Sequence, residues 1–188
     1  ARGYDFFSSR GPERRWGPFK QSFYAPMRDD ILFLAVGTGL DIQFFPDGQK
    51  ITGIDFSPKM LATARPRAGA YSGRIELLEM DAQQLAFAGD SFDQIYTSCT
   101  FCSVPDPVQG LRELRRVLKP GGELRMFEHT GSRWFPFNAL LHMMNPVSRR
   151  LGPDVTRDTV ANVAKAGFQI SSVRNLYLDV VKSIVATP

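Results

Sequence analysis

Apolar residues come in short runs of strand length, set apart by glycine- and proline-rich turns and by stretches with helical spacing. Ile31–Val36 is a continuous apolar run, as expected of a parallel strand buried on both faces. Gly37-Thr38-Gly39 ends it, Leu40–Phe45 reads as a short helical piece, and Pro46-Asp47-Gly48 stops that piece. Lys50–Ile54 is a second strand. Ser57 followed by Pro58 is an N-cap with proline at the first helical position, and predicts a helix to about Ala64. Arg74–Glu79 and Ser91–Thr97 read as the third and fourth strands. Asp106 caps a helix through Leu118, with Leu111, Leu114, Val117 and Leu118 on one face and Arg112, Arg115 and Arg116 on its solvated side. Lys119-Pro120-Gly121-Gly122 turns into a fifth strand, Glu123–Glu128. Residues 132–151 are apolar but irregular and are expected to form an inserted cap. A helix from about Thr156 to Ala166 ends at Gly167, and Phe168–Leu176 with Leu178–Ala186 forms a closing strand pair. The pattern predicts an α/β fold: a Rossmann-like doubly wound sheet of five parallel strands plus a C-terminal antiparallel β-hairpin, seven strands in all, with helices on both faces.

A length of 188 residues suits a single domain over 1–188, and 43% hydrophobic with 22% charged residues is ordinary for a globular chain. Charge placement changes the picture more. Residues 1–28 carry Arg2, Arg10, Arg14, Arg15, Lys20 and Arg28 against Asp5 and Glu13, so the whole net charge of +4 lies there. Tyr4, Phe6, Phe7, Trp16, Phe19, Phe23 and Tyr24 interleave with them. Residues 1–30 are therefore read as a basic aromatic N-terminal arm. Such an arm suits an anionic membrane surface or a nucleic-acid backbone, or it is a lid whose aromatics pack on the core. No apolar run approaches the ~18–20 residues of a membrane span, and nothing reads as a signal peptide. The expected location is cytoplasmic, with the inner membrane face as the place of any peripheral contact.

Cys99 and Cys102 have the Cys-x-x-Cys spacing of redox motifs, but they follow a strand and run into Val104-Pro105-Asp106-Pro107 rather than opening a helix. A zinc site would want two more ligands at matching spacing, and none is present, so no metal is expected. The cysteines are read as structural or pocket-lining thiols.

The chemistry gathers at strand ends. A parallel sheet binds ligands beyond the carboxyl ends of its strands, and here those ends are Gly37-Thr38-Gly39, Asp55, Asp81, Thr97–Thr100 and Glu128-His129. Gly37 and Gly39 let the backbone bend under a ligand. Asp55, 18 residues after Gly37, is placed to accept both ribose hydroxyls. Asp81 can accept from an exocyclic amine such as that of adenine, with Phe56, Met60 and Ala82 flanking the ring. A dinucleotide fold would want a third glycine after Gly39, where Leu40 to Ile42 offer none. The set favours an adenosine ligand without a pyrophosphate.

Gly37-Thr38-Gly39, the run Thr52 to Leu61, Asp81-Ala82-Gln83-Gln84-Leu85 and the run Arg116 to Gly122 resemble the successive motifs of class I S-adenosylmethionine-dependent methyltransferases, over about residues 30–130. Cys102-Ser103-Val104-Pro105-Asp106-Pro107, Glu128-His129 and the tail from Leu151-Gly152-Pro153-Asp154 to Phe168 are similar to soluble bacterial phosphatidylethanolamine N-methyltransferases and to thiol methyltransferase-like proteins. Quinone C-methyltransferases are more distant. The resemblance implies S-adenosylmethionine as cofactor and S-adenosylhomocysteine as product. It adds Ala35, Thr38, Ser57, Gln83, Ser98 and Cys99 to the cofactor contacts, and has Tyr4 reaching the methionine end.

Two departures stand out. Ala35 replaces the first glycine of a fuller Gly-x-Gly-x-Gly, and Phe33 stands where the family carries an acid that helps hold the methionyl amine. Losing a hydrogen bond to a charged group costs about 1.5–3 kcal/mol, roughly ten- to a hundredfold in affinity. Position 33 therefore predicts a weakened methionine end.

Methyl transfer needs alignment more than side-chain chemistry, and a general base only when the acceptor arrives protonated. His129 is the candidate base, with Glu128 as its neighbour; strand alternation points the two in opposite directions. His142 of the cap reads as a wall residue, and Trp134, Phe135, Phe137, Leu140, Leu141, Met143 and Met144 suggest an apolar acceptor pocket, a membrane-facing surface or a covering layer over the sheet. The expected function is methyl transfer to the amine head group of a phospholipid at a membrane surface. A small-molecule thiol or another soluble acceptor is the alternative, as is a cofactor-binding protein with weakened or lost methyl transfer. Nucleic acid is disfavoured by the small charge excess.

Overall fold

The computed structural model describes residues 12–188. They form seven strands and five α-helices: α1 (Pro12–Tyr24), β1 (Ile31–Leu34), β2 (Lys50–Asp55), α2 (Pro58–Gly69), β3 (Arg74–Glu79), β4 (Phe92–Ser98), α3 (Pro107–Val117), β5 (Leu118–His129), α4 (Phe137–Leu151), α5 (Thr159–Lys165), β6 (Gln169–Tyr177) and β7 (Val181–Thr187). A 3-10 helix, Leu40–Phe44, lies between β1 and β2. The strand order is β3-β2-β1-β4-β5-β7-β6 in a seven-stranded sheet. The predicted mixed sheet with a terminal hairpin is therefore observed. By contact, the chain separates into two compact units, one ending at Asp81 and one beginning at Ala82.

In the first unit β1, β2 and β3 pair in parallel, with Ile31 opposite Ile51 and Ile51 opposite Ile75. All four β1 residues are buried, which is what a continuous apolar run dictates for a strand covered on both faces. Ser57 caps α2 through its hydroxyl, which accepts from the Met60 amide. The helix runs on to Gly69, past the predicted end near Ala64 and through Pro66.

The basic aromatic arm resolves into α1 plus a short linker. Phe23, Tyr24 and Met27 are buried, so these apolar residues belong to the core while Arg28 and Asp29 stay in solvent. The remaining arm, with Tyr4, Phe6 and Phe7, lies outside the described residues.

In the second unit β4 and β5 pair in parallel, while β7 runs antiparallel to both β5 and β6. Strand β5 begins at Leu118, five residues before its predicted start. The Lys119-Pro120-Gly121-Gly122 turn is absorbed as an irregular strand entry, with Leu118 opposite Phe92 and left-handed backbone at Gly121 (φ 80). Asp106 caps α3 by accepting from the Gln109 amide at 3.0 Å, and Leu111, Leu114 and Val117 are fully buried.

The irregular cap expected over 132–151 is mostly the helix α4. Pro146 inside it, together with apolar residues on two faces, hides the helical period from a pattern reading. Its inner side is held by polar contacts. The Asn145 carboxamide accepts from the Val155 amide and donates to Thr156 Oγ1, both at 3.0 Å, and Ser148 Oγ donates to the Pro153 carbonyl at 2.7 Å.

Candidate methyltransferase site

Most of the residues expected at the nucleoside end lie in the first unit. Ala35, Gly37 and Gly39 all take left-handed backbone (φ 55, 58 and 80), which folds the chain sharply after β1. The left-handed backbone at 39 favours glycine, and a Cβ there would press on the Ala64 Cβ at 3.1 Å and on Ile42 Cδ1 at 3.0 Å. Ala35 holds the same backbone region at some cost in strain. Arg67 braces the loop from α2 by donating to the Thr38 carbonyl at 2.5 Å.

Asp55 ends β2 with its carboxylate buried. Gly37 N–H donates to Oδ2 at 2.8 Å and Ser57 N–H donates to Oδ1 at 2.9 Å. Each oxygen keeps a lone pair for a further donor. Next to it the Phe56 ring is 76% exposed, an unusual state for phenylalanine and a ready face for a flat heterocycle. Met60 is half-buried on the first turn of α2, and Asp81 is exposed two residues past the end of β3.

Phe33 has a different meaning from the one its position suggests. Its ring is buried and packs edge-on against Phe45 at 5.0 Å and Tyr24 at 5.9 Å. The buried carboxylate of this region is Asp41, two residues after Gly39. Tyr24 Oη donates to Asp41 Oδ2 at 2.6 Å, and the Lys20 ammonium pairs with Oδ1. Helix α1 is thereby latched to the segment that follows the glycine loop. Nothing in the motif pattern pointed to Asp41, because its partners lie 17 and 21 residues away.

The second unit carries the other strand ends. Gln83 Oε1 accepts from the Asp106 amide at 2.9 Å, so this side chain supports the start of α3; Ala82, beside it, is half-buried. Ser98 is half-buried at the end of β4. Cys99 is exposed with left-handed backbone (φ 52), and its amide donates to the Phe127 carbonyl at 2.8 Å. Burial pushes the Cys102 thiol up to about 11, with the nearby Glu128 charge adding to the effect, so this sulfur is a packed thiol rather than a nucleophile.

Glu128 is fully buried. Its oxygens accept from Thr97 Oγ1 at 2.7 Å, the Thr100 amide at 3.0 Å and the Phe101 amide at 3.1 Å. Burial pushes its carboxyl up to about 7 against the pull of those donors. It was expected to act in catalysis beside His129. The geometry instead makes it the anchor of the loop after β4, with no surface left for an acceptor. Arg157 holds the same loop from outside, donating to the Phe101 carbonyl at 3.0 Å and to the Val104 carbonyl.

His129, the next residue, is half-buried, and burial lowers its pKa, which favours the neutral ring. Its Nδ1 is buried with no hydrogen-bond partner among the described residues. A polar cleft beside the end of β5 is lined by Thr130, Arg133, Asp158, Asp179 and Lys182. No motif spacing marks these residues, because they come together only when the β6–β7 turn returns to β5. Asp179 accepts from Ser132 Oγ at 2.6 Å and from the Arg133 amide at 2.7 Å.

Residues 32–126, just over half the chain, match the family model described as a methyltransferase domain. The chain belongs to this methyltransferase family. The C-methyltransferase UbiE of ubiquinone/menaquinone biosynthesis from Geotalea daltonii is 39% identical over 150 residues, 74% of this chain and 63% of that protein. A phosphatidylethanolamine N-methyltransferase of Cereibacter sphaeroides is 36% identical over 101 residues, 53% and 50% of the two chains. The thiol S-methyltransferase TMT1B of Rattus norvegicus is 35% identical over 147 residues, 73% and 59%. The chain thus spans between 50% and 63% of the lengths of these relatives. In fold it is similar to a SAM-dependent methyltransferase of Aquifex aeolicus, with a TM-score of 0.69 at 17% identity over 94% of this chain and 93% of that one.

Membership brings S-adenosylmethionine as the cofactor. The residues present fit it: a turn with left-handed glycines at 37 and 39, a buried carboxylate with spare lone pairs, and an exposed aromatic face beside that carboxylate.

Proposed function

We propose that the chain methylates the amine head group of a phospholipid, the acceptor being presented at a membrane surface. The observation that carries this reading is the neutral, half-buried His129 at the carboxyl end of β5. An amine arrives protonated at neutral pH and must lose its proton before it can attack, whereas a ring kept neutral by burial can take that proton. The phosphatidylethanolamine-methylating relative supports the same acceptor class.

Bound S-adenosylmethionine supplies an electrophilic methyl group on a sulfonium. The chain's own residues do the rest. Asp55 accepts the ribose hydroxyls, Phe56 and Met60 flank the base, and Asp81 accepts from its exocyclic amine. The Gly37–Gly39 backbone gives close approach. Ser98 and Cys99 contribute the backbone of the loop after β4, which Glu128 and Arg157 hold in one conformation. His129 takes the proton. The protein works in the cytoplasm, touching the inner membrane face.

A second reading is methyl transfer to a quinone ring carbon, favoured by the alignment over 74% of the chain to the quinone C-methyltransferase. A soluble thiol is the third candidate, on the rat relative. Incubation with methyl-labelled cofactor and separate phosphatidylethanolamine vesicles, a demethylated quinone and a small thiol decides among them. Label in the lipid alone supports the amine; label in quinone or thiol alone sinks it.

A further inference from the structure

We propose that the outward face of α4 is a docking surface for an anionic phospholipid bilayer. Leu140, Met143, Met144 and Val147 recur at i, i+3, i+4 and i+7, and so form one stripe along the helix. Their exposures are 43%, 72%, 54% and 63%, and Trp134 and Phe135 just before the helix are 62% and 75% exposed. These are six of the ten large hydrophobic side chains exposed among the described residues, all within a 14-residue stretch. Isolated exposed apolar residues are ordinary on a protein surface; a continuous stripe headed by two aromatics is not.

The helix needs none of this face for its own fold. Leu141 is buried on the inner side, and Asn145 and Ser148 hold that side by hydrogen bonds. At about 1.5 Å per residue its 15 residues extend about 22 Å, and no helix among the described residues is long and apolar enough to cross a membrane. The geometry is that of a helix lying in the interface plane, apolar side in the acyl boundary.

Charge selects the occupant. Residues 132–158 contain Arg133, Arg149, Arg150 and Arg157 against Asp154 and Asp158, an excess of two positive charges. Arg133 and Arg149 reach Asp158 and Asp154 at 3.1 and 4.0 Å, and Arg150 forms no ion pair among the described residues. A second copy docking by the same face would bring the arginines of both copies together across the contact. An anionic bilayer meets the same arginines with opposite charge and offers Trp134 its preferred interfacial depth.

The surface goes beyond the acceptor reading and is testable without it. The probe is sedimentation with vesicles of phosphatidylglycerol and phosphatidylcholine, against vesicles of phosphatidylcholine alone, with no cofactor present. The wild-type chain is expected to pellet with the anionic vesicles, to be released by high salt, and to show a blue-shifted Trp134 emission in a Trp16→Phe background. Met143→Gln with Val147→Gln is expected to weaken vesicle binding about tenfold or more, with the thermal unfolding midpoint unchanged, since both side chains stand in solvent. Equal vesicle binding by the double variant overturns the proposal, and so does failure of the wild type to pellet. A dimer in light scattering that the double variant abolishes also overturns it, in favour of a second copy. If vesicles bind but phosphatidylethanolamine is not methylated, the docking face stands and the acceptor reading falls.

Discussion

The Gly37 amide donates to Asp55 Oδ2 at 2.8 Å and so ties the glycine turn after β1 to the acid that ends β2. The Ser57 amide holds the other oxygen. The carboxylate is thus held in one orientation by two backbone amides. Two neighbouring loops share that one acid, so the loss of its charge is felt in both.

Asp55→Asn is accordingly expected to weaken both the fold and the nucleoside site. One oxygen becomes an NH2 facing a backbone N–H donor, so one charge-assisted bond is lost, at about 1.5–3 kcal/mol. Calorimetric titration with S-adenosylhomocysteine should show at least a tenfold weaker Kd, and chemical denaturation a lower midpoint. Unchanged affinity would remove Asp55 from the site.

Position 33 gives a prediction opposite in sign to the one its sequence context suggests. Phe33→Glu places a charge among Tyr24 and Phe45 with its aromatic packing lost, at about 3–5 kcal/mol for the packing alone. Denaturation should show a large loss of stability, and affinity for the cofactor product should not rise. A gain in affinity without loss of stability would mean that the ring does not serve the core.

The latch at Asp41 should be separable from the glycine loop. Asp41→Asn keeps an acceptor for Tyr24 and loses the charge paired with Lys20, whereas Asp41→Ala leaves the Tyr24 hydroxyl buried without that partner. Alanine is expected to cost about 1–3 kcal/mol more than asparagine. Hydrogen exchange should show faster opening of α1 in the alanine variant; equal costs would mean that the hydroxyl is satisfied elsewhere.

Glu128 has a pH signature of definite sign. Its carboxyl titrates near 7 in the folded chain against about 4.5 in an unfolded one, because burial disfavours the charge. Between those values the folded state holds the extra proton, so this group's contribution to stability is fully present below about 4.5 and is lost as pH rises to about 7. Glu128→Gln should flatten that slope. Its carboxamide oxygen can accept from the Thr100 and Phe101 amides while its NH2 donates to Thr97 Oγ1, so the variant should fold. An unchanged slope in the variant would assign the titration to another group.

His129 supplies the kinetic counterpart. If its neutral ring takes the acceptor's proton, the rate should rise with pH through a pKa below the usual histidine value of 6.5. His129→Asn should remove that limb while leaving the affinity for S-adenosylhomocysteine in place. A limb that persists belongs to the acceptor or to another residue.

Local patterning settled much of this molecule by itself. A continuous apolar run of strand length closed by a glycine turn, such as Ile31–Val36, reads as a strand covered on both faces, and Ser57-Pro58 and Asp106-Pro107 cap their helices by contacts within three residues. Gly37, Gly39 and Asp55 were legible for the same reason: glycine is needed where backbone turns left-handed, and an acid at a strand end advertises itself. Tertiary structure decided what depends on partners distant in the chain. It turned Glu128 from a candidate catalyst into a loop anchor, because Thr97, Thr100 and Phe101 lie 27 to 31 residues away. It made Phe33 a core ring through Tyr24 and Phe45, and gave Asp41 a role no motif records. It also made 137–151 a helix whose inner face is held by Asn145 and Ser148, leaving its second apolar face outside. Periodicity reports that a face is apolar; only packing decides whether the protein or something else covers it.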